Sequence, residues 1–126
     1  MGVFMENGSL AGRRILVVED EYLLAQDVAQ ALREHGAEVI GPVGTLGQAA
    51  NTVREERFDC AIVDMNLRGE SSESLTDALR RVPVPTLIVS GYSRDALPAQ
   101  LQTAEYLEKP TSAGAVVAAV ARLIAS

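Results

Sequence analysis

From Arg14 onward, short apolar runs alternate with segments whose apolar positions recur at helical spacing. Ile15-Leu16-Val17-Val18 is apolar at every position, as expected of a central strand covered by helices on both faces. Leu24, Val28, Ala31 and Leu32 repeat at i, i+4, i+7 and i+8 and stop at Gly36, which predicts a first helix with a left-handed end. Ala37 to Ile40 reads as a second strand. Thr45 and Gln48 form a capping box ahead of Leu46, Ala49, Ala50 and Val53, the second helix. Phe58 to Val63 gives a third strand, and Leu75, Ala78, Leu79 and Val82 a third helix closed by Pro83. Thr86 to Val89 and Ala104 to Leu107 are strands four and five. A last helix, from about Ser112 to Ala125, buries Val116, Val120, Leu123 and Ile124. Residues 1–13 carry three glycines and no sustained period, so they read as a flexible lead-in to one domain over 14–126.

Strands alternating with helices predict a doubly wound parallel α/β sheet, with a crevice at the carboxyl ends of the strands. Ionisable or hydroxyl residues stand at those ends: Glu19, Asp20 and Glu21 after strand one, Asp64 after three, Ser90 after four and Lys109 after five. Turn chemistry alone would favour Gly, Asn and Pro there. The three consecutive acids also suit a helix N-terminus, with Asp20 as cap. Facing Asp64 in a partly buried crevice, however, they would repel one another and take up protons unless a cation were present. A hard divalent ion such as Mg²⁺ fits, with Asp20 and Asp64 as its direct ligands. Asp64 ends an apolar strand and can act as a nucleophile toward phosphorus, giving an acyl phosphate.

Composition sharpens the reading of Lys109. The chain has ten arginines and this one lysine, so its general positive charge is arginine and the exception falls at a strand tip. A compact ammonium on a flexible stem reaches one carboxylate or phosphoryl oxygen as a point charge. Pro110 restricts it, and the Lys109-Pro110 bond is a candidate for cis. Ser90, with Gly91 leaving the crevice open, offers a hydroxyl to an incoming phosphoryl group. It is disfavoured as a nucleophile because the only histidine, His35, falls at the opposite pole of the sheet.

The chain has 126 residues, 48% apolar, with 17 acids against 11 bases and a net charge of −6. These values suit one globular domain. The acid excess argues against nucleic acid or anionic membrane as partner and toward a cationic or protein partner. The near-apolar run Ala113 to Ala121 is too short to span a bilayer, and the N-terminus lacks a signal-peptide pattern, so a cytoplasmic protein is expected. A single cysteine, Cys60, excludes an internal disulfide. The glycines of 41–47 lack GxGxxG spacing and read as turn punctuation.

In order, Glu19-Asp20 in VVEDE, Asp64 in VDMNL, Ser90 in VSGY and Lys109-Pro110 in LEKP resemble the receiver domain of two-component response regulators over residues 14 to 125. The resemblance implies a flavodoxin-like five-stranded parallel sheet in the order 2-1-3-4-5. It implies a sensor histidine kinase that donates a phosphoryl group to Asp64, and Mg²⁺ held by Glu19, Asp20, Asp64 and the Asn66 backbone carbonyl. Ser90, Gly91 and Lys109 would meet the phosphoryl oxygens, and Tyr106 or Tyr92 would be the aromatic that moves. Only eighteen residues separate Ser90 from Lys109, and Pro98 interrupts them, so the fourth helix is expected to be short and labile, with Pro98 in its first turn. The stretch from Pro83 to Tyr92 is similar to the signature of an atypical single-domain subgroup known as FAT GUY, which implies a kinase of the HWE class.

With the chain ending at Ser126, the leading expectation is a stand-alone phosphoacceptor switch rather than an enzyme, acting on a downstream protein. The face of the fourth helix, fifth strand and last helix would carry the signal and could support a homodimer. A Mg²⁺ phosphohydrolase would need another acid two residues beyond Asp64, where Asn66 stands. A passive module of the same fold would not need the full acid, hydroxyl and lysine set.

Overall fold

The computed structural model describes residues 9–67, 70–71, 73–97, 102 and 104–125. Five strands form one parallel sheet: β1 (Arg14–Val18), β2 (Glu38–Val43), β3 (Cys60–Asp64), β4 (Thr86–Ser90) and β5 (Glu105–Glu108). Their spatial order is β2-β1-β3-β4-β5. The helices are α1 (Tyr22–Glu34), α2 (Leu46–Glu55), α3 (Glu73–Leu79) and α4 (Ala113–Ala125). Asn66–Leu67 and Glu70–Ser71 pair separately as a short antiparallel ribbon.

The unbroken apolar runs of the strands are explained by two cores. Ile15, Val17, Cys60, Ile62, Leu87 and Val89 project to one face and meet Val28 and Leu32 of α1 and Val116, Val117 and Val120 of α4. Leu16, Val18, Ala61, Val63 and Ile88 project to the other and meet Ala49 and Val53 of α2 and Leu75 and Leu79 of α3. Because side chains alternate along a strand, both faces must be apolar. Each large aliphatic chain buried in this way contributes about 1.5–3 kcal/mol, which holds the strand ends in fixed register.

Three local features differ from the sequence expectation. The first is β2, which continues past Ile40 to Val43, with a register shift between Leu16 and Val18 where it runs beside β1. Gly41 makes the shift possible at φ 101°; a Cβ there would lie 2.7 Å from the Val43 nitrogen and 2.8 Å from the Val17 carbonyl oxygen. Periodicity ended the strand at the glycine because it carries no signal for a bulge.

The second is the lead-in. Residues 1–8 lie outside the described residues, but 9–13 are anchored: Leu10 is fully buried, its N–H donates to the His35 carbonyl at 2.9 Å, and the Gly12 N–H donates to that of Gly36 at 3.3 Å. One leucine in a glycine-rich turn has no period, so its burial was not legible. His35 Nδ1 lies 2.8 Å from the Ala31 carbonyl oxygen at the end of α1.

The third is the start of α1. Its N-cap is Glu21, not Asp20, and the Glu21 side chain makes no capping bond. The cap predicted for α2 is present, with the Gln48 N–H donating to Thr45 Oγ1 at 3.2 Å. Between β4 and β5 the described residues hold one turn of 3₁₀ helix, Arg94–Ala96, while Pro98 lies outside them. No described helix is long and apolar enough to cross a membrane.

Leu10→Ala should lower unfolding free energy by about 2–4 kcal/mol, as for a fully buried leucine, whereas Leu23→Ala, at a side 76% exposed, should change it little. Urea unfolding of both variants checks the anchoring of 9–13.

Candidate functional site

The strand ends carry the site and are tied to one another through the backbone. Asp64 and Ser90 are the last residues of β3 and β4, both buried, and Glu19 and Lys109 directly follow β1 and β5. The Glu19 N–H donates to the Val43 carbonyl at 3.0 Å, the Met65 N–H to Val89 at 3.2 Å, and the Lys109 N–H to Ser90 at 2.6 Å. The tips are thus positioned by the sheet rather than by long loops.

Lys109 Nζ lies 3.3 Å from Glu19 Oε2, 3.4 Å from Asp64 Oδ2 and 3.4 Å from Glu21 Oε2. An ammonium has three protons, and three carboxylates surround this one. Burial by itself would lower the Lys109 ammonium, but Asp64, Glu19 and Glu21 together outweigh it and raise it above its ordinary value. Glu19 is driven the other way. Burial, with the charge of Asp64 added, pushes its carboxyl up to about 7, against the opposing Glu21 N–H bond and Lys109. That N–H donates to Glu19 Oε2 at 3.0 Å.

Glu19, Asp20 and Asp64 each offer an oxygen, and these oxygens all lie within 4.8 Å of one another. The donor set is entirely carboxylate oxygen, which suits a hard divalent ion, and such an ion would offset the charge of Asp64 that adds to the effect of burial on Glu19. Asn66 opens the short ribbon two residues beyond Asp64. Cys60 is buried in the core, its thiol pushed up to about 12 by burial, and is unreactive.

The hydroxyl and aromatic residues are placed less uniformly. Ser90 Oγ accepts from the Tyr92 N–H at 3.0 Å, which leaves its own proton for another acceptor. A Cβ added at Gly91 would meet no atom within 4 Å, so the described geometry imposes no steric demand for glycine there. The Lys109-Pro110 bond is cis. Tyr92 is 53% exposed, while Tyr106 has its hydroxyl buried with no hydrogen-bond partner among the described residues. Burial raises the Tyr106 phenol above its ordinary value, with Glu108 adding to the shift and Arg94 opposing it.

Sequence reasoning missed Arg94. Its guanidinium carbon sits 5.1 Å from the centre of the Tyr106 ring, and Nη1 donates to the Gln102 and Ala104 carbonyls at 2.7 and 2.8 Å. Gln102 Nε2 donates in return to the Leu97 carbonyl at 2.6 Å. An arginine in a loop carries no spacing that would announce this staple.

Two variants probe these interactions. The folded value of Glu19, about 7, lies above its ordinary 4.5, so between those pH values the unfolded chain sheds a proton that the folded chain keeps. This group therefore withdraws stability as pH rises through that window. Glu19→Gln should gain stability relative to the parent between pH 4.5 and 8 in urea unfolding without divalent ions. Arg94→Ala should cost about 1–2 kcal/mol and free the Tyr106 ring, read as faster ring flipping by NMR.

Among known proteins, residues 15–121 match the response regulator receiver domain. The transcriptional regulatory protein PdtaR of Mycobacterium tuberculosis is 28% identical over 112 residues, covering 86% of this chain and 55% of that protein. The sensory transduction protein LytT of Bacillus subtilis is 28% identical over 101 residues, 77% of this chain and 42% of its own length. The chain thus spans about half the length of the curated relatives it matches. A receiver domain of a sensor histidine kinase from Pseudomonas aeruginosa, solved with a magnesium ion coordinated in its active site cleft, is 27% identical at a TM-score of 0.72, covering 92% of this chain and 100% of that one. The receiver domain of a LuxO-type repressor from Vibrio parahaemolyticus is 25% identical at a TM-score of 0.78, covering 90% of each chain. Receiver domains are phosphoacceptor switches that work with histidine kinases and downstream effectors rather than enzymes of the ordinary kind. The match runs from the first strand into the last helix, and the chain belongs to the response regulator receiver domain family.

Proposed function

We propose that Asp64 is the phosphoacceptor and that the chain relays a signal from a sensor histidine kinase to a protein partner from a cytoplasmic location. The observation that carries this reading is the contact between Lys109 Nζ and Asp64 Oδ2, 3.4 Å apart across the carboxyl end of β4, which separates β3 from β5. A carboxylate oxygen is the nucleophile that phosphoryl transfer needs, and the adjacent ammonium offsets the charge that gathers on the transferring group. One Asp64 oxygen would form the bond to phosphorus while the donor's bond to phosphorus breaks and its electron pair leaves with the donor. Lys109 would hold a phosphoryl oxygen, and the Ser90 hydroxyl, with Gly91 beside it, would donate to another.

Glu19, Asp20 and Asp64, with the Asn66 carbonyl, would hold Mg²⁺, which when bound supplies positive charge against the phosphoryl oxygens. The aspartyl phosphate carries about 1.5–2 negative charges and three acceptor oxygens, enough to re-pair Ser90 and Lys109 and bias the segment that follows β4. Tyr106, whose buried hydroxyl has no hydrogen-bond partner among the described residues, is better suited than exposed Tyr92 to be the aromatic that answers this change. A kinase of the HWE class is the donor suggested by the stretch from Pro83 to Tyr92. A protein partner or second copy would read the face of β5, α4 and the preceding loop, and the net charge of −6 gives nucleic acid no foothold.

Incubation with acetyl phosphate and Mg²⁺ should add one phosphoryl group, seen by intact mass, and Asp64→Asn or chelation of the metal should abolish it. An equal adduct on Asp64→Asn, or continuous turnover of a general phosphate ester by the parent, would overturn the assignment.

A further inference from the structure

Glu21 stands outside the acid set assigned above, yet its Oε2 lies 3.4 Å from Lys109 Nζ. It is the N-cap residue of α1, and its side chain leaves that helix end uncapped. The three partners of Lys109 are also unequal. Glu19 and Asp64 are 6% and 4% exposed along their side chains, whereas Glu21 is 61% exposed.

We propose that Glu21 is a positioning residue: a displaceable placeholder that occupies the third Lys109 proton until a phosphoryl oxygen takes it. This rests on the phosphoacceptor reading above. All three ammonium protons face carboxylates, so any new acceptor must displace one of them. Separating Lys109 from a buried carboxylate would strand a desolvated charge, which is costly. Releasing Glu21 returns a mostly solvated carboxylate to water, which costs little. Glu21 therefore keeps Lys109 extended toward the mouth of the pocket, and it competes with the incoming group for the same proton.

The probe is trifluoroberyllate, a mimic of the phosphoryl group, titrated with saturating Mg²⁺. Glu21→Gln should bind it about two- to fivefold more tightly than the parent, the range for losing a competing surface ion pair. Because Lys109 is the only lysine, ¹⁵N-lysine labelling gives one side-chain ammonium signal to follow by NMR. That signal should differ between parent and Glu21→Gln in the free proteins and coincide once both are loaded, since Glu21 is displaced in each. Unchanged or weaker binding by Glu21→Gln, coincident free-state signals, or loaded signals that still differ would each overturn the placeholder role. A parent protein that binds no trifluoroberyllate would instead overturn the phosphoacceptor reading, and the placeholder with it.

Discussion

The site is organised by one ammonium among three carboxylates. Lys109 reaches Glu19, Glu21 and Asp64 at 3.3–3.4 Å, joining the ends of β1, β3 and β5. Without that cation the buried acids would face one another in a poorly solvated crevice, and burial and mutual repulsion would drive them to hold protons. Even with it, Glu19 is pushed up to about 7. One ammonium set against three carboxylates leaves the pocket short of positive charge, which is the electrostatic condition for recruiting a further cation.

The sheet makes that arrangement rigid. Parallel strands place their carboxyl ends on one edge, and helices on both faces lock the strands in register through two apolar cores. Neighbouring tips are then linked by backbone bonds, with Lys109 N–H to Ser90 and Glu19 N–H to Val43. The bulge at Gly41 belongs to the same scheme, because it carries β2 far enough to supply that Val43 carbonyl. A feature of the outer strand thus helps to place a carboxylate on the central one.

The segment after β4 is held differently. Among its described residues Leu97 is the buried apolar one, and polar contacts add to it: Arg94 and Gln102 donate to carbonyls across the loop, and Arg94 covers Tyr106. Hydrogen bonds of this kind are worth about 0.5–1.5 kcal/mol each, so the Arg94 contacts are weaker ties than the burial of the two-sided core beneath them.

The amino-acid sequence by itself determined the alternation of five strands and the helices around them, because burial on both faces writes uninterrupted apolar runs and helical periods into the chain. It also determined which strand ends carry Glu19, Asp20, Asp64, Ser90 and Lys109, since polar residues stop each apolar run at the crevice. Tertiary structure alone decided what those residues touch. That Glu21 turns from its helix to Lys109, that Leu10 enters the core, that β2 continues through a bulge, and that Arg94 lies on Tyr106 are contacts between residues distant in sequence or lacking a period. Such contacts depend on where the packed sheet brings side chains in space, and no local spacing encodes that.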